Sequence, residues 1–157
     1  MDKVYVEATY KSLNKLNEEL CGDRVEIVKN DDSYFVVLSD GLGSGVKANI
    51  LSTLTSKIIS TMMFQGASIE DTVETIVHTL PVCSVRKVAY STFMILQIDY
   101  DGNAYLVEFD SPGCIFVRDG RLMNIEYNYR SIAGKEIKEA HFKVKPNDFM
   151  MLLSDGV

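Results

Sequence analysis

The amino-acid sequence predicts an α+β protein in which strands come first, two helices follow, and a series of antiparallel strands completes the fold. Three observations carry this prediction: a hairpin pattern near the N-terminus, one long stretch with helical apolar spacing, and several strand-like segments separated by Asp-Gly turns. Helices and strands do not alternate one by one along the chain. A parallel βαβ arrangement is therefore not expected.

The first part of the chain predicts three strands. Apolar residues alternate with more polar ones at Val4, Val6, Ala8 and Tyr10. The segments Arg24–Val28 and Tyr34–Leu38 then predict a hairpin that turns at Asn30-Asp31-Asp32. A glycine-rich turn follows this hairpin.

Two amphipathic helices are predicted next. The expected buried stripe of the first contains Val46, Ile50, Leu51, Leu54, Ile58, Ile59, Met62 and Met63, with Lys47, Asn49, Ser52, Thr53, Ser56, Lys57, Ser60 and Thr61 on the other side. Gly66 can end this helix. Ser68 is the expected N-cap of the second helix, which Pro81 ends. Its expected stripe is Val73, Ile76, Val77 and Leu80.

The remaining chain predicts strands joined by tight turns. The segments Ser91–Ile98 and Ala104–Phe109 flank Asp101-Gly102-Asn103, and Cys114–Arg118 and Leu122–Tyr127 flank Asp119-Gly120. Two further strands are expected at Ile137–Val144 and Phe149–Leu153. Together these segments form an antiparallel meander.

Composition narrows the class of protein. The 157 residues fit one domain, residues 1–157, with 46% hydrophobic and 24% charged residues. The net charge of -6 argues against nucleic-acid binding. Three scattered cysteines favour neither a disulfide framework nor a zinc site. Without a signal pattern or an apolar run long enough to span a bilayer, we expect a cytoplasmic protein with no membrane contact.

Two Leu-Ser-Asp-Gly segments, Leu38–Gly41 and Leu153–Gly156, suggest a cation site. In each segment an aspartate, Asp40 or Asp155, follows an apolar strand. Two carboxylates about 5 Å apart would repel by about 3 kcal/mol at an effective dielectric near 20, so a shared proton or a cation must offset the repulsion. Ligands that are all oxygen favour Mg²⁺ or Mn²⁺. The alternative is that each Asp-Gly is simply a turn.

Neighbouring residues strengthen the cation interpretation. A hairpin that turns at residues 30–32 would return Asp40 close to Asp23. Gly41 permits a close backbone approach, so that its carbonyl can join the coordination. Strand pairing could bring Thr92 to the same end.

Other functional patterns are weaker. The glycines of Gly41–Gly45 invite a nucleotide-binding interpretation, but their spacing matches neither the dinucleotide fingerprint nor the phosphate-binding loop. His78 and His141 are distant from the Asp-Gly turns. Ser39 and Ser154 lack a base partner, which argues against a Ser/His/Asp hydrolase.

In combination and order, three motifs resemble the metal-dependent type-2C protein phosphatases. They are Cys-Gly-Asp at Cys21–Asp23, Leu-Ser-Asp-Gly-Leu-Gly-Ser-Gly at Leu38–Gly45, and Leu-Leu-Ser-Asp-Gly-Val at Leu152–Val157. The bacterial branch named after the stage II sporulation phosphatase E is the more similar one. The resemblance extends from about residue 20 to the end of the chain.

The resemblance implies a β-sandwich flanked by helix layers (αββα) and hydrolysis of phosphoserine and phosphothreonine with two Mn²⁺ or Mg²⁺ ions. It implies that Asp40 bridges both metals, that the Gly41 carbonyl binds one, and that Asp23 and Asp155 complete the carboxylates. Asp40 and Asp23 would be the catalytic residues, and a water activated by the two metals would replace a side-chain nucleophile. The helices expected at 46–65 and 68–80 match the positions of a regulatory switch.

One departure from the family concerns the C-terminus. Family members continue beyond the second Asp-Gly and supply another metal-binding aspartate there, whereas this sequence stops at Val157. We therefore expect a domain whose last elements are missing and in which one metal binds weakly or not at all. The alternative to an active phosphatase is a catalytically impaired regulatory or phosphoprotein-binding domain. The resemblance implies a phosphoprotein partner, such as a small phosphoserine regulator.

Overall fold

The computed structural model describes residues 3–12, 22–41, 45–79 and 91–154. It contains two helices and nine strands in the described residues, which confirms the α+β class. In chain order these are β1 Asp23–Lys29, β2 Ser33–Asp40, α1 Gly45–Phe64, α2 Ile69–Thr79, β3 Thr92–Asp99, β4 Asn103–Phe109, β5 Cys114–Arg118, β6 Arg121–Leu122, β7 Asn128–Ile132, β8 Lys135–Lys143 and β9 Phe149–Leu152.

The strands form two antiparallel sheets. The larger sheet has the order β1-β2-β3-β4-β8-β7, and the smaller has the order β6-β5-β9. One apolar cluster lies between the sheets, where Met94, Leu96 and Leu106 of the larger sheet meet Phe116 and Met150 of the smaller. A second cluster lies on the other side of the larger sheet, under α1 and α2. The result is the helix–sheet–sheet part of the implied sandwich.

The predicted hairpin at β1 and β2 is confirmed, and its turn is closed by a side chain. The Asn30 Oδ1 atom accepts hydrogen bonds from the amides of Asp32 and Ser33 at 2.8 and 2.9 Å. The predicted Asp119-Gly120 turn is also confirmed. Both residues have positive φ, 52° and 76°, as a two-residue hairpin turn requires.

Two predicted strands were wrong, for the same reason. Residues 4–10 and most of Leu122–Tyr127 are not strands, although β6 takes up the beginning of the latter. Val4, Val6, Ile125 and Tyr127 pack against the cluster between the sheets. Alternation of apolar and polar residues thus shows that one side of an extended chain is buried. A strand also requires backbone pairing, which this pattern does not reveal. The strand β7 was not predicted, and it pairs with β8.

The predicted extent of α1 is confirmed, but its predicted buried face is only partly correct. Val46, Ile50 and Leu54 are exposed, by 61, 50 and 43%. The buried residues are Ala48, Leu51, Ser52, Thr55, Ser56, Ile59, Ser60 and Met63. Small side chains let the helix approach the sheet closely, and their hydroxyls donate to backbone carbonyls, as Thr55 does to Leu51 at 2.7 Å. Burying these hydroxyls therefore costs little.

The predictions for α2 and its connection are confirmed where the structure describes them. Gly66 has φ 85° and follows the end of α1. Ser68 caps α2, because its Oγ accepts a hydrogen bond from the Asp71 amide at 3.1 Å. Val73 and Ile76 are buried. Leu80 and Pro81 lie outside the described residues. Neither described helix has the length and apolar character needed to cross a bilayer.

Candidate metal centre

The β1–β2 hairpin places two carboxylates opposite each other at its open end. Asp23 and Asp40 are register partners, as the sequence predicted. Directly opposed residues of an antiparallel pair project from the same face of the sheet. Here that face is turned toward the smaller sheet, because Leu38, two residues before Asp40, packs in the cluster between the sheets. Both aspartates are partly buried.

A third oxygen-bearing side chain extends this row. Thr92 on β3 is the register partner of Asp40 on its other side. The expectation that strand pairing could bring Thr92 to this end is therefore confirmed for its position in the sheet. Asp40 lies in the middle of the row, between Asp23 and Thr92.

The second Leu-Ser-Asp-Gly segment reaches this row from the smaller sheet. Ser154, which follows β9, donates a hydrogen bond from its Oγ to Asp23 Oδ2 at 2.7 Å. The ends of β2 and β9 therefore meet across the sandwich, although the two strands belong to different sheets. Asp155 lies outside the described residues, so its predicted approach to Asp40 stays a prediction.

The serine of the first segment has a different task. Ser39 is fully buried and donates from its Oγ to the carbonyl of Ser52 in α1 at 2.7 Å. Neighbouring residues of a strand project from opposite faces, so Ser39 holds the helix while Asp40 faces the smaller sheet. The two Leu-Ser-Asp-Gly segments therefore use their serines differently. Ser39 donates to α1, whereas Ser154 donates to a carboxylate.

Gly41 is required by the helix that crosses above it. A Cβ atom at this position would lie 1.9 Å from the carbonyl oxygen of Ala48, far inside van der Waals contact. The Gly41 amide donates to the carbonyl of Gly22 at 2.8 Å, which continues the pairing one step beyond β1 and β2. The close approach observed at Gly41 is to α1, and the predicted coordination of a cation by its carbonyl stays a prediction.

A small cavity of about 10 Å³ lies beside Asp40, with room for about one water molecule. Its polar lining comes from Asp40, Thr92, Ser111 and Ser154. Ser111 was missed by sequence reasoning, because it enters through the connection between β4 and β5. Only the register of β4 against β3 places that connection at this end of the sheet.

The donor set fits a hard divalent cation. The groups beside the cavity are carboxylate and hydroxyl oxygens, which suit Mg²⁺ or Mn²⁺ better than softer metals. Within residues 3–12, 22–41, 45–79 and 91–154, no three His, Cys, Asp or Glu side chains gather closely enough to hold a metal ion. Asp23 and Asp40 are the two carboxylates that the described residues contribute.

The alternative candidates lie elsewhere. His141 stacks on Tyr105, with ring centroids 4.5 Å apart, on strands β8 and β4. His78 belongs to the last turn of α2. The glycine-rich turn at 42–44 lies outside the described residues, so its nucleotide-binding interpretation has no structural test.

Solved structures share this fold. The phosphatase domain of SpoIIE from Bacillus subtilis, with a fragment of its regulatory domain, matches with a TM-score of 0.72 and 22% identity over 86% of this chain and 41% of that one. RsbX in complex with magnesium matches with a TM-score of 0.69 and 20% identity, over 92% and 71%. The RsbU and RsbW domains of Rv1364c from Mycobacterium tuberculosis match with a TM-score of 0.75 and 16% identity, over 92% and 41%.

These identities support a common fold, which is the type-2C phosphatase fold expected from the motifs. The chain spans less than half the length of the SpoIIE structure it matches. No curated protein matches the sequence significantly. The family model of stage II sporulation protein E (SpoIIE) matches residues 30–157, which is most of the chain. This protein therefore belongs to the SpoIIE family, whose fold is that of the type-2C protein phosphatases.

Proposed function

We propose that this chain is a protein serine/threonine phosphatase domain that uses divalent cations, Mn²⁺ or Mg²⁺. The observation that carries the proposal is the register pairing of Asp23 with Asp40 on the face turned toward the smaller sheet. Family membership and fold support a phosphatase. The two ions, the ligand set and the substrate are what the resemblance to the type-2C phosphatases implies.

A cation would offset the repulsion between the two facing carboxylates. If the carboxylates of directly opposed residues lay about 5 Å apart, at an effective dielectric near 20 they would repel by about 3 kcal/mol, and by less where solvent reaches them. A sheet does not require this pair, because opposite-charge or neutral partners would be more favourable at the same positions. A bound cation would remove the cost of this repulsion, and both aspartates would then serve as its ligands.

Each residue has a proposed task. Asp40, in the centre of the row, would bridge two ions, with the carbonyl of Gly41 as a further ligand. Asp23 and Asp155 would complete the carboxylates. The hydrogen bond from Ser154 fixes the orientation of Asp23, so that the carboxylate is held in place before any ion arrives.

The chain itself provides positioning and charge in this proposal. Divalent cations, when bound, supply an acidified water and neutralise charge on the phosphoryl group. Asp23 and Asp40 hold the cations, and Ser39 is unsuitable as a nucleophile because it is buried and donates to α1. We infer a phosphoprotein substrate, such as a small phosphoserine regulator. The likeness to the RsbU and RsbW domains of Rv1364c supports a protein partner.

The test is manganese-dependent hydrolysis of a phosphopeptide and of an aryl phosphate. We expect turnover by the wild-type chain, and loss of turnover in Asp40→Asn because the bridging ligand loses its charge. The matched control is Asp99→Asn, the same substitution at the other end of the same sheet, which should retain activity. Calorimetry with Mn²⁺ should show at least one bound ion per chain, with any second ion binding more weakly.

Three outcomes would contradict the proposal in different ways. Equal turnover in the wild type and Asp40→Asn would remove the metal assignment. An absence of Mn²⁺ binding to the wild type would remove the cation. Tight binding of a phosphopeptide without turnover would favour the alternative, a regulatory domain that recognises phosphoproteins.

A further inference from the structure

Glu108 is a buried carboxylate that the proposed function does not use. It lies on β4, its exposure is 0%, and it faces the space between the two sheets along with Leu106. Its Oε2 atom has no hydrogen-bond partner in the described residues. Burying a carboxylate costs several kcal/mol unless it is well compensated, whereas a leucine here would simply extend the apolar cluster. The residue therefore needs a reason beyond packing.

Among the described residues, Glu108 forms no ion pair with a lysine or an arginine. Lys138 is its register partner on β8, but the Lys138 ammonium lies over the ring of Tyr127, 4.8 Å from the centroid. Burial raises the pKa of Tyr127, and the hydrogen bond to Glu108 and its charge raise it further. Burial, followed by the charge of Glu108, raises the pKa of Cys114 to about 12. Both neighbours thus stay protonated at neutral pH.

One contact connects Glu108 to the candidate metal centre. Its Oε1 atom accepts a hydrogen bond from Ser111 Oγ at 3.1 Å. Ser111 and Pro112 line the cavity beside Asp40. The connection at 110–113 is tightly bent, since Asp110 and Gly113 both have positive φ, 47° and 111°. A left-handed conformation at a non-glycine residue costs about 1 kcal/mol, so this connection needs an anchor.

We propose that Glu108 is a positioning residue, which holds Ser111 and thereby the wall of the cavity beside Asp40. The Glu108 carboxylate lies between the two sheets, and its hydrogen bond with the Ser111 hydroxyl fixes the position of the connection at 110–113. The consequence for cation binding rests on the proposed function, whereas the consequence for the loop does not.

The position of the loop can be tested without any metal. We expect Glu108→Leu and Ser111→Ala to shift the amide NMR resonances of Asp40, Thr92 and Ser154, because both variants delete the hydrogen bond between Ser111 and Glu108. Glu108→Leu also removes the acceptor of Tyr127, so Ser111→Ala is the more selective of the two variants. Glu108→Gln keeps an acceptor at Oε1 and should leave these resonances close to the wild type. The matched control is Ser33→Ala, which removes a buried hydroxyl that accepts from Gln97 Nε2 at 3.2 Å at the other end of the sheet.

The second readout is Mn²⁺ affinity by calorimetry. Glu108→Leu and Ser111→Ala should each weaken binding by about fivefold to tenfold, the equivalent of one hydrogen bond. The double variant should be no weaker than either single variant, and Glu108→Gln should recover most of the affinity.

Two results would overturn the inference. One is that Ser111→Ala leaves the three amide resonances unchanged; this variant alters only a surface connection and so is expected to fold even if Glu108→Leu does not. The other is that the two substitutions weaken Mn²⁺ binding additively, since independent effects would mean that no shared bond is involved. If the wild type binds no Mn²⁺, the proposed function fails, and the resonances still decide the role of Glu108.

Discussion

Both ends of the larger sheet carry aspartates, but the groups around these aspartates differ between the two ends. At the end with the turns, Asp99 accepts three hydrogen bonds from its own connection: from the amides of Asp101 and Asn103 at 3.0 and 2.9 Å, and from Asn103 Nδ2 at 2.9 Å. Burial alone would raise the pKa of Asp99, but the hydrogen bonds from Asn103 and Asp101 lower it. This carboxylate completes a turn.

At the open end, the aspartates take their neighbours from distant parts of the chain. Asp23 faces Asp40 across the hairpin and accepts from Ser154, which is 131 residues away in sequence. Asp99 thus has its three donors within four residues of the chain, whereas Asp23 has a donor from the smaller sheet and a carboxylate as its register partner. The contrast separates a carboxylate that completes its own turn from carboxylates that the assembled sheets bring together.

The largest expected effect tests whether the open end depends on α1. Gly41→Ala would place a Cβ atom 1.9 Å from the Ala48 carbonyl oxygen, so the helix and strand must separate. We expect a loss of at least about 4 kcal/mol in the free energy of unfolding, measured by urea denaturation. Gly120→Ala is the control, because that glycine has positive φ but no atom within 4 Å of the added Cβ; it should cost only about 1 kcal/mol.

The next effect concerns the turn end. Asp99→Ala deletes an acceptor for three hydrogen bonds and should lower the free energy of unfolding by about 2 kcal/mol. Mn²⁺ affinity should stay at the wild-type value, because this residue lies at the other end of the sheet. If Asp99→Ala kept its stability but bound Mn²⁺ more weakly, Asp99 would be a cation ligand and not a structural residue of the turn.

A change of opposite sign is expected at the open end. In EDTA, Asp23→Asn should raise the free energy of unfolding by about 1 kcal/mol, because it removes the repulsion from Asp40 and keeps an acceptor for Ser154. Thermal melts with and without Mn²⁺ would show this gain only in the metal-free state. If Asp23→Asn were less stable than the wild type in EDTA, the two carboxylates would not be in conflict.

The smallest effect is a pH dependence at the turn end. The pKa of Asp99 is lowered in the folded state, so the stability it contributes is present above the unfolded pKa and is lost as pH falls through the folded pKa. Asp99→Asn should therefore be less stable than the wild type at neutral pH, and the difference should shrink as the pH falls through the folded pKa of Asp99. Urea midpoints across this range measure the difference. A constant difference at every pH would show that the charge of Asp99 does not matter.

Local chemistry explains what the sequence could predict. The turn at Asn30, the cap at Ser68 and the Asp119-Gly120 turn depend on residues within a few positions, and all three are confirmed. The pairing of Asp23 with Asp40 followed from counting along one hairpin. The type-2C phosphatase fold was available from the motifs, and the family model and solved structures confirm it.

Long-range packing explains the errors. The buried face of α1 depends on how closely the helix approaches the larger sheet, and no helical period reveals that hydroxyls are preferred there. The contact of Ser154 with Asp23 joins two sheets, and the role of Ser111 depends on the register of β3 and β4. Each of these features requires the assembled sandwich.

The hydroxyl-lined contact of α1 also determines how that helix can move. Ser39 holds a carbonyl of α1, and carbonyls on one helix face recur only at every turn, about 5.4 Å apart. Ala48, Ser52, Ser56 and Ser60 repeat at the same four-residue interval, so a shift by one turn would exchange one small residue for another over Gly41. Intermediate positions would leave the Ser39 hydroxyl unpaired. The contact between α1 and the larger sheet therefore favours discrete helix positions that differ by one helical turn.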